Sequence, residues 1–560
     1  MLVVGLSPLD QNCSAVVLDD RGPIAAIEEQ KLARESAIGG IPTLALDYCL
    51  REAGARISDV SLVALAGRPK RAWAREGQFR VSLRPRRAAM AFGPALARGA
   101  QELGRVRILH DLVRDAGRFV NYEHHLCHAS SAYFASAFDR ALVLTLDGSG
   151  DMWSGLLSLG EGVDITPVQP LRFPNSLGWL YARITELLGY RAGHDEHKVQ
   201  WLSTVGEAAY RAEFDRMFGR DERSLPSLNR HYLGAEIGGI WRLSPQFLKE
   251  LHLGDHLPSA DAMARAALAR SLQEFVEETV VEIVERYRKT TKADALCLAG
   301  GVLQNVLLVG ALEERTGFKK IFVQPAAGNA GTALGAAYLG RRLLMNRPTR
   351  EPLPHVFLGP RFDAQETKAV LDNCKVTYGY YPVEEQLLTE TRRLLLQNKT
   401  VAWHQGRTEF GLRALGNRSI LASPFSPYVI ANLNQYIKHR EDFHPFILSV
   451  PAERAAEFFE YSANSRFATS VGRLLNGTDG LERFAFSGRR VRLHVVDPES
   501  NPRFWHLLQI FGRTAPAPIL VNTSLNLFGE PLVTSPREAM RTLYCSGIDA
   551  LVIGDFVVVK

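Results

Sequence analysis

Two groups of residues in this sequence have the types and the spacing to do chemistry. The first is His124 and His128, in Asn121-Tyr122-Glu123-His124-His125-Leu126-Cys127-His128-Ala129-Ser130. Four residues apart on a helix, the two imidazoles project from one face and can share a metal ion. Asp147, in the acidic glycine-containing stretch Asp147-Gly148-Ser149-Gly150-Asp151, is available as a third ligand at the tip of a turn. Two histidines and one carboxylate with open positions suit a divalent transition metal, iron(II) first, with manganese or zinc as alternatives. Core or capping histidines share this spacing, so the pair alone leaves both readings open. The second group is Gln405-Gly406-Arg407-Thr408-Glu409-Phe410-Gly411-Leu412-Arg413-Ala414-Leu415-Gly416-Asn417-Arg418, three arginines in a glycine-rich loop. Lys438, His439, Arg440 and His444 follow, then Arg492, and Asn522-Thr523-Ser524-Leu525-Asn526 offers amides and hydroxyls. Guanidinium groups bind phosphate through two parallel hydrogen bonds, so converging arginines and a lysine imply a small, multiply charged anion.

The elements that must hold these residues read as mixed α/β. Leu2 to Leu6, Ala15 to Leu18 and Ile24 to Ile27 are strands, with a turn at Asp19-Asp20-Arg21-Gly22, and a helix follows from about Pro42 to Ala53. A related pattern returns: strand Ala141 to Leu146, the turn Asp147 to Asp151, and strand Gly155 to Leu159. Two strands meeting twice at an acidic turn predict a duplicated nucleotide-binding scaffold. A strand Ala295 to Leu298 then runs into Ala299-Gly300-Gly301-Val302 and a helix with Asn305, followed by strand Lys320 to Gln324. Gly328-Asn329-Ala330-Gly331 opens a small-residue helix, Thr332 to Gly340. Glycine lets a backbone approach a nucleotide, and a helix N-terminus offers free N–H groups to phosphate. The arrangement resembles the acetate kinase, sugar kinase and actin superfamily (ASKHA), whose ATP lies between two such halves. Prolines at 348, 352, 354 and 360 mark a linker, and the pattern beyond Glu385 is α/β of domain size.

At 560 residues the chain exceeds one core, and no apolar run reaches the ~20 residues of a membrane-spanning helix. The first residues lack the features of a secretory signal, and six cysteines without a CxxC pair fit a reducing compartment, so a cytoplasmic location is expected. The net charge of +6 is concentrated in Lys70 to Arg118, with Arg84, Arg86, Arg87, Arg98, Arg105, Arg107 and Arg114. That stretch reads as a solvated helical insertion, or as a surface for nucleic acid, anionic lipid or a phosphorylated substrate.

The segments Glu409 to Ser419, Lys438 to Phe446, Ser500 to Arg503 and Asn522 to Pro531, with His124 to Ser131, resemble the motifs of the NodU/CmcH-type carbamoyltransferase family, nearly end to end. The resemblance implies an ASKHA domain, similar to tRNA threonylcarbamoyl transferase, over 1–345, with the arginine-rich insertion at about 70–118. A connecting arm over 346–384 and a YrdC-like carbamoyladenylate-forming domain over 385–560 would complete the chain. It also implies that Arg413, Lys438, Arg492, Asn522 and Ser524, with Arg440 and His444 alongside, hold carbamoyl phosphate and ATP. His124, His128 and Asp147 match the metal ligands, while Ser149, Gly300, Gly301, Asn305 and Gly328 match the nucleotide turns of the transfer domain. Lys198, in Glu196-His197-Lys198-Val199, sits where the family has a lysine beside the transfer site. The implied reaction forms carbamoyladenylate from carbamoyl phosphate and ATP with Mg2+, then passes the carbamoyl group internally to a hydroxyl of a small-molecule acceptor, aided by a divalent metal.

The sequence departs from that pattern in places. Gln11 stands where a histidine is usual, Asn329 where the fourth metal ligand is an aspartate, and His444 where an arginine is common. Asn329 would be a weaker ligand, and His444 would make one phosphate contact pH-sensitive. His197, Gln200 and Trp201 suggest a reshaped acceptor pocket. Two other readings remain: a tRNA-modifying threonylcarbamoyl transferase, and a nucleotide-binding homologue without catalysis. Nucleic acid is not the expected partner, and a homodimer is left open.

Overall fold

The computed structural model describes the chain except residues 9–11, 37–38, 84–99, 101, 238–239, 252–260, 346–349 and 479. Gln11 and the arginines at 84, 86, 87 and 98 lie outside the described residues. The chain forms two compact units: Met1–Ile24 with Gly39–Pro352, and Ala25–Ile38 with Leu353–Lys560. The expected arm, 346–384, thus divides at Pro352. Its second part carries the helix Ala364–Asn373, whose Asp363 and Glu366 form a reciprocal capping box. A short stretch near the N-terminus also belongs to the second unit, which the expected break at 345 did not foresee.

In the first unit, one sheet has the order Ser14–Leu18, Val3–Ser7, Leu62–Ala66, Phe119–Tyr122. A second has the order Asp164–Arg172, Trp153–Glu161, Arg140–Gly150, Ala295–Ala299, Lys320–Val323. In each, the central strand pairs antiparallel with the next strand in sequence and parallel with a later one, so the two sheets share one topology. The duplication read from the sequence is therefore present. The predicted turn, however, is displaced. The strand Arg140–Gly150 continues through 147–149 as a bulge against its partner, and the chain reverses at Asp151 and Met152. Both have positive φ, 49° and 63°, as a two-residue hairpin turn with the right twist requires.

The small-residue helix is Asn329–Leu344, and its composition is dictated by what it touches. A Cβ on Gly335 would lie 1.8 Å from the carbonyl oxygen of Cys127, and one on Gly5 would lie 2.0 Å from that of Ala333. Glycine at these two sites lets the helix press directly on the first sheet and on the helix His124–Tyr133. Ser130 Oγ donates to the Gly335 carbonyl (2.9 Å) and locks the second contact. No helix among the described residues is long and apolar enough to cross a membrane.

The second unit is built on a ten-stranded sheet. Its centre runs Val401–His404, Arg418–Ala422, Leu520–Ser524, Ile447–Pro451, Arg490–Val496. Side chains alternate between two apolar layers: Ile420, Val521 and Leu551 in one, Leu421, Leu520 and Val552 in the other. Phe504, Leu507, Leu508 and Phe511 of the helix Pro502–Gly512 cover the latter layer. Alternation places Asn522, Ser524, Arg492 and His494 on that same face.

Candidate functional site

The helix carrying the histidine pair begins at His124 because Glu123 and Asp151 satisfy its free N–H groups. Glu123 accepts from Leu126 N (2.8 Å), and Asp151 accepts from His124 N (3.0 Å) while Arg68 N donates to both of its oxygens. The bulge before the hairpin turn aims Asp147 at the same face. His124 Nε2 and His128 Nε2 lie 3.1 Å apart, and Asp147 Oδ2 lies 3.4 and 3.3 Å from them. Donors bonded at ~2.1 Å to one ion, at angles between octahedral and tetrahedral, are about 3.0–3.4 Å apart, so the three atoms fit a shared divalent metal. Burial acts to raise the Asp147 pKa, but the hydrogen bonds to the two imidazoles outweigh it and hold the carboxylate well below its usual range. Burial pushes His128 down despite Asp147, keeping it neutral as a ligand must be. His125 has a structural role: fully buried, it lies 2.9 Å from Thr145 Oγ1 and 3.1 Å from the Trp153 carbonyl.

The glycine turns meet beside this cluster. A Cβ on Gly301 would stand 3.0 Å from Asp147 Oδ1, and Gly300, at φ 101°, donates its N–H to the Ala327 carbonyl (2.7 Å). That bond ties the first turn to the second, where Gly328 precedes the helix at Asn329; a Cβ on Gly328 would fall 2.1 Å from Gln304 Nε2. Ser149 is exposed on the bulge. The carbonyl of Asn329 accepts from Ser7 Oγ and Thr332 Oγ1. Asn305 caps the helix Val306–Arg315, accepting from Leu307 N and Leu308 N, and its amide nitrogen donates to Gln273. Its side chain shapes the turn from within. Lys198, on the helix Glu196–Leu202, lies 3.9 Å from Asp195 and over the ring of Tyr190.

In the second unit the three arginines of the loop separate by function. Arg407 donates to the carbonyls of Gly359 and Leu358, and the fully buried Arg418 to those of Gln405, Asn417 and Pro360. These two guanidiniums shape the loop. Arg413 instead lies near Arg492, which also feels the charge of Arg440. Burial, then the charges of Arg413 and Arg440, drives the Arg492 pKa well down, and burial lowers Arg413 and Arg440 to about 10. Arg440 Nε is held by Asn434 Oδ1 (2.9 Å), while its Nη2 is buried with no hydrogen-bond partner.

Lys438 ends a π-helical turn, Asn434–Lys438, a rare geometry associated with functional sites. Its ammonium donates to Asn526 Oδ1 (2.7 Å) and Ser524 Oγ (3.2 Å), and burial, then Arg440, pushes its pKa well down. Asn522 Nδ2 donates to the Ala414 carbonyl (3.2 Å) and to Ser449 Oγ (3.1 Å), leaving its buried Oδ1 with no hydrogen-bond partner. Asn522 and Arg492 share a register row through Ile447, which puts both under the Arg413 loop. His444 Nδ1 lies 3.3 Å from the Glu441 carbonyl, and its ring stacks on Phe443.

Glu409, fully buried, was not singled out from the sequence, although it opens the motif. Its Oε1 accepts from Leu415 N, Asn417 N and Arg418 N at 2.9–3.1 Å, and this curls the loop so that Arg413 projects from it. A glutamate amid glycines and arginines was the available signal. Asn526, the holder of Lys438, was read only as one of the amides after a strand, and Asp151, the cap of His124, only as part of a turn.

Residues 3–338 match the family model described as carbamoyltransferase N-terminus, and residues 392–560 the one described as carbamoyltransferase C-terminus. Similar proteins include nodulation protein NolNO of Sinorhizobium fredii, 32% identical over 98% of this chain and 78% of the relative. Another is protein sll1178 of Synechocystis sp., 30% identical over 100% of this chain and 96% of the relative. The 3'-hydroxymethylcephem-O-carbamoyltransferase of Amycolatopsis lactamdurans is 29% identical over 51% of this chain and 52% of its own. Among solved structures, full-length HypF in its phosphate- and nucleotide-bound form covers 62% of this chain with 47% of its own length, at 12% identity and a TM-score of 0.33. With family matches over both units, the chain belongs to the carbamoyltransferase family of transferases.

Proposed function

We propose that the protein is an ATP-dependent O-carbamoyltransferase that draws its carbamoyl group from carbamoyl phosphate and delivers it to a hydroxyl of a small-molecule, natural-product-like acceptor. The observation that carries this reading is the cationic cradle of the second unit, where burial lowers the pKa values of Arg413, Arg440, Arg492 and Lys438, the charges of Arg413 and Arg440 add to the lowering of Arg492, and that of Arg440 adds to the lowering of Lys438. Like charges gathered out of water are costly, and an anion with several acceptor oxygens offsets that cost. Carbamoyl phosphate and the phosphates of ATP, accompanied by Mg2+, have that chemistry.

In the first stage, water hydrolyses carbamoyl phosphate to carbamate and inorganic phosphate. A carbamate oxygen then attacks the α-phosphorus of ATP, the bond to pyrophosphate breaks, and carbamoyladenylate forms. Arg413, Arg440 and Arg492 would bind the oxygens of the phosphoryl groups, and Lys438 the bridging region. The Oδ1 of Asn522 is an acceptor suited to the amide N–H of the carbamoyl unit.

In the second stage, the acceptor hydroxyl oxygen adds to the carbamoyl carbon and gives up its proton to solvent, and the bond to AMP breaks. His124, His128 and Asp147 would hold a divalent metal, iron(II) being favoured by the donor set, and such an ion supplies Lewis acidity toward a carbonyl oxygen. The turns at Gly300, Gly301 and Gly328, packed against Leu146, Asp147 and Gln304, would take a nucleotide phosphate next to Asp147. The name of the Amycolatopsis relative supports the acceptor class. Incubation with carbamoyl phosphate, ATP and extract of the source organism, followed by mass spectrometry for products heavier by one carbamoyl unit, tests the reading. No such product, together with no use of ATP, would refute it.

A further inference from the structure

We infer that Glu28, Lys31 and Arg34, carried on a short segment near the front of the chain, are positioning residues for the anion cradle of the second unit. The inference rests on the reading of that cradle as the donor site. The segment includes the helix Glu29–Ala33, and nothing in its local pattern shows which core it joins.

Lys31 is 3% exposed. Its ammonium donates to the Glu409 carbonyl (2.7 Å) and to that of Gly411 (2.8 Å), and it forms an ion pair with Glu28 Oε2 at 2.7 Å. The other oxygen of Glu28 accepts from Gly411 N at 2.8 Å. The loop that projects Arg413 is thus gripped at its entry, on both sides of Phe410, by a buried ion pair. Inside the loop the Glu409 carboxylate completes the fixation.

A second line of contacts leads from the same segment to Lys438. Arg34 donates to the Leu532 carbonyl (2.7 Å) and pairs with Glu530 (3.3 Å) and Glu538 (3.4 Å), and Ser36 Oγ donates to the Gly529 carbonyl (2.6 Å). The Glu530 carbonyl accepts from Asn526 Nδ2 (2.7 Å), and Asn526 Oδ1 accepts from Lys438. One segment therefore holds both the loop of Arg413 and the loop that orients Lys438. An apolar pair could fill the volume of Glu28 and Lys31 as well, but it could neither donate to the two loop carbonyls nor accept from Gly411 N.

The test uses the full chain with Glu28→Gln and Lys31→Met combined, so that no uncompensated charge is left buried. Formation of AMP from ATP is followed as a function of carbamoyl phosphate, with cobalt(II) binding to the first unit as the control. The expected result is a KM for carbamoyl phosphate raised at least about 10-fold, since misplacement by a fraction of an ångström costs that much, with cobalt affinity unchanged. A KM within twofold of the unaltered chain, whatever the change in kcat, overturns the inference, because a loss of folded protein alone lowers only kcat. Should the double variant not fold, Arg34→Met at its partly exposed site carries the same requirement, a severalfold rise in KM. If the unaltered chain makes no AMP, the donor reading fails on its own. The positioning role is then judged by calorimetric titration with inorganic phosphate, whose binding must weaken at least about 10-fold in the variant, and equal binding overturns it.

Discussion

Gly150→Ala should weaken binding of the proposed metal to the first unit without replacing a ligand residue. Gly150 has no positive φ, so alanine meets no backbone penalty there. Its Cβ, however, would lie 2.1 Å from His124 Cδ2, 2.3 Å from Cγ and 2.6 Å from Nε2. Carbon atoms pack no closer than about 3.5 Å, so the imidazole must retreat by more than about 1 Å. Metal–ligand distances tolerate only about 0.2 Å, and a retreat of that size takes Nε2 out of the shell it would share with His128 and Asp147. With one of three protein ligands lost, affinity for iron(II) or cobalt(II) should fall at least about 100-fold, or about 2.7 kcal/mol. Calorimetry and the cobalt absorption band measure this, with melting temperature as the check on folding. A folded Gly150→Ala chain that binds metal as tightly as the unaltered one would refute His124 as a ligand.

Arg492→Ala should raise the KM for carbamoyl phosphate by about 10–100-fold, the worth of one charge-assisted contact of roughly 1.5–3 kcal/mol, and steady-state AMP formation reports it. An unchanged KM would contradict its place in the cradle. Asp147→Asn should leave carbamoyl-phosphate-dependent AMP formation measurable while suppressing carbamoylation of acceptors in extract, and loss of AMP formation would show that the two stages are not divided between the units. The buried imidazole of His494, pushed down to about 3, stays neutral in the folded chain at pH values where the unfolded chain protonates it below ~6.5. Stability is therefore lost as pH falls from 6.5 toward 3, by about 2 kcal/mol at pH 5 from this residue, and His494→Asn should remove that share in urea denaturation at pH 7 and pH 5. Identical pH dependence in both proteins would contradict it.

Much of this site was legible because it depends on local spacing. His124 and His128 face one way through helix periodicity alone, and the repeated strand-turn-strand patterns led to two sheets of like topology. What escaped depended on partners distant in sequence. Arg407, Arg413 and Arg418 look alike in a row, and only the fold shows that two of them are consumed by carbonyls. The hairpin turn was misplaced by a few residues because a bulge keeps Asp147 to Ser149 extended where their composition suggests reversal. Glu28 to Ser36 escaped altogether, since a five-residue helix carries no address for the core it serves. Asn305 has the residue type of a ligand contact and of a helix cap, and its bonds are those of a cap.

The most direct test of a donor site that activates carbamoyl phosphate at the α-phosphorus of ATP is the nucleotide product itself. Purified chain with Mg2+, iron(II), α-labelled ATP and carbamoyl phosphate should release AMP and pyrophosphate, and neither should form when carbamoyl phosphate is withheld. Release of ADP instead, or AMP formation indifferent to carbamoyl phosphate, would contradict the account.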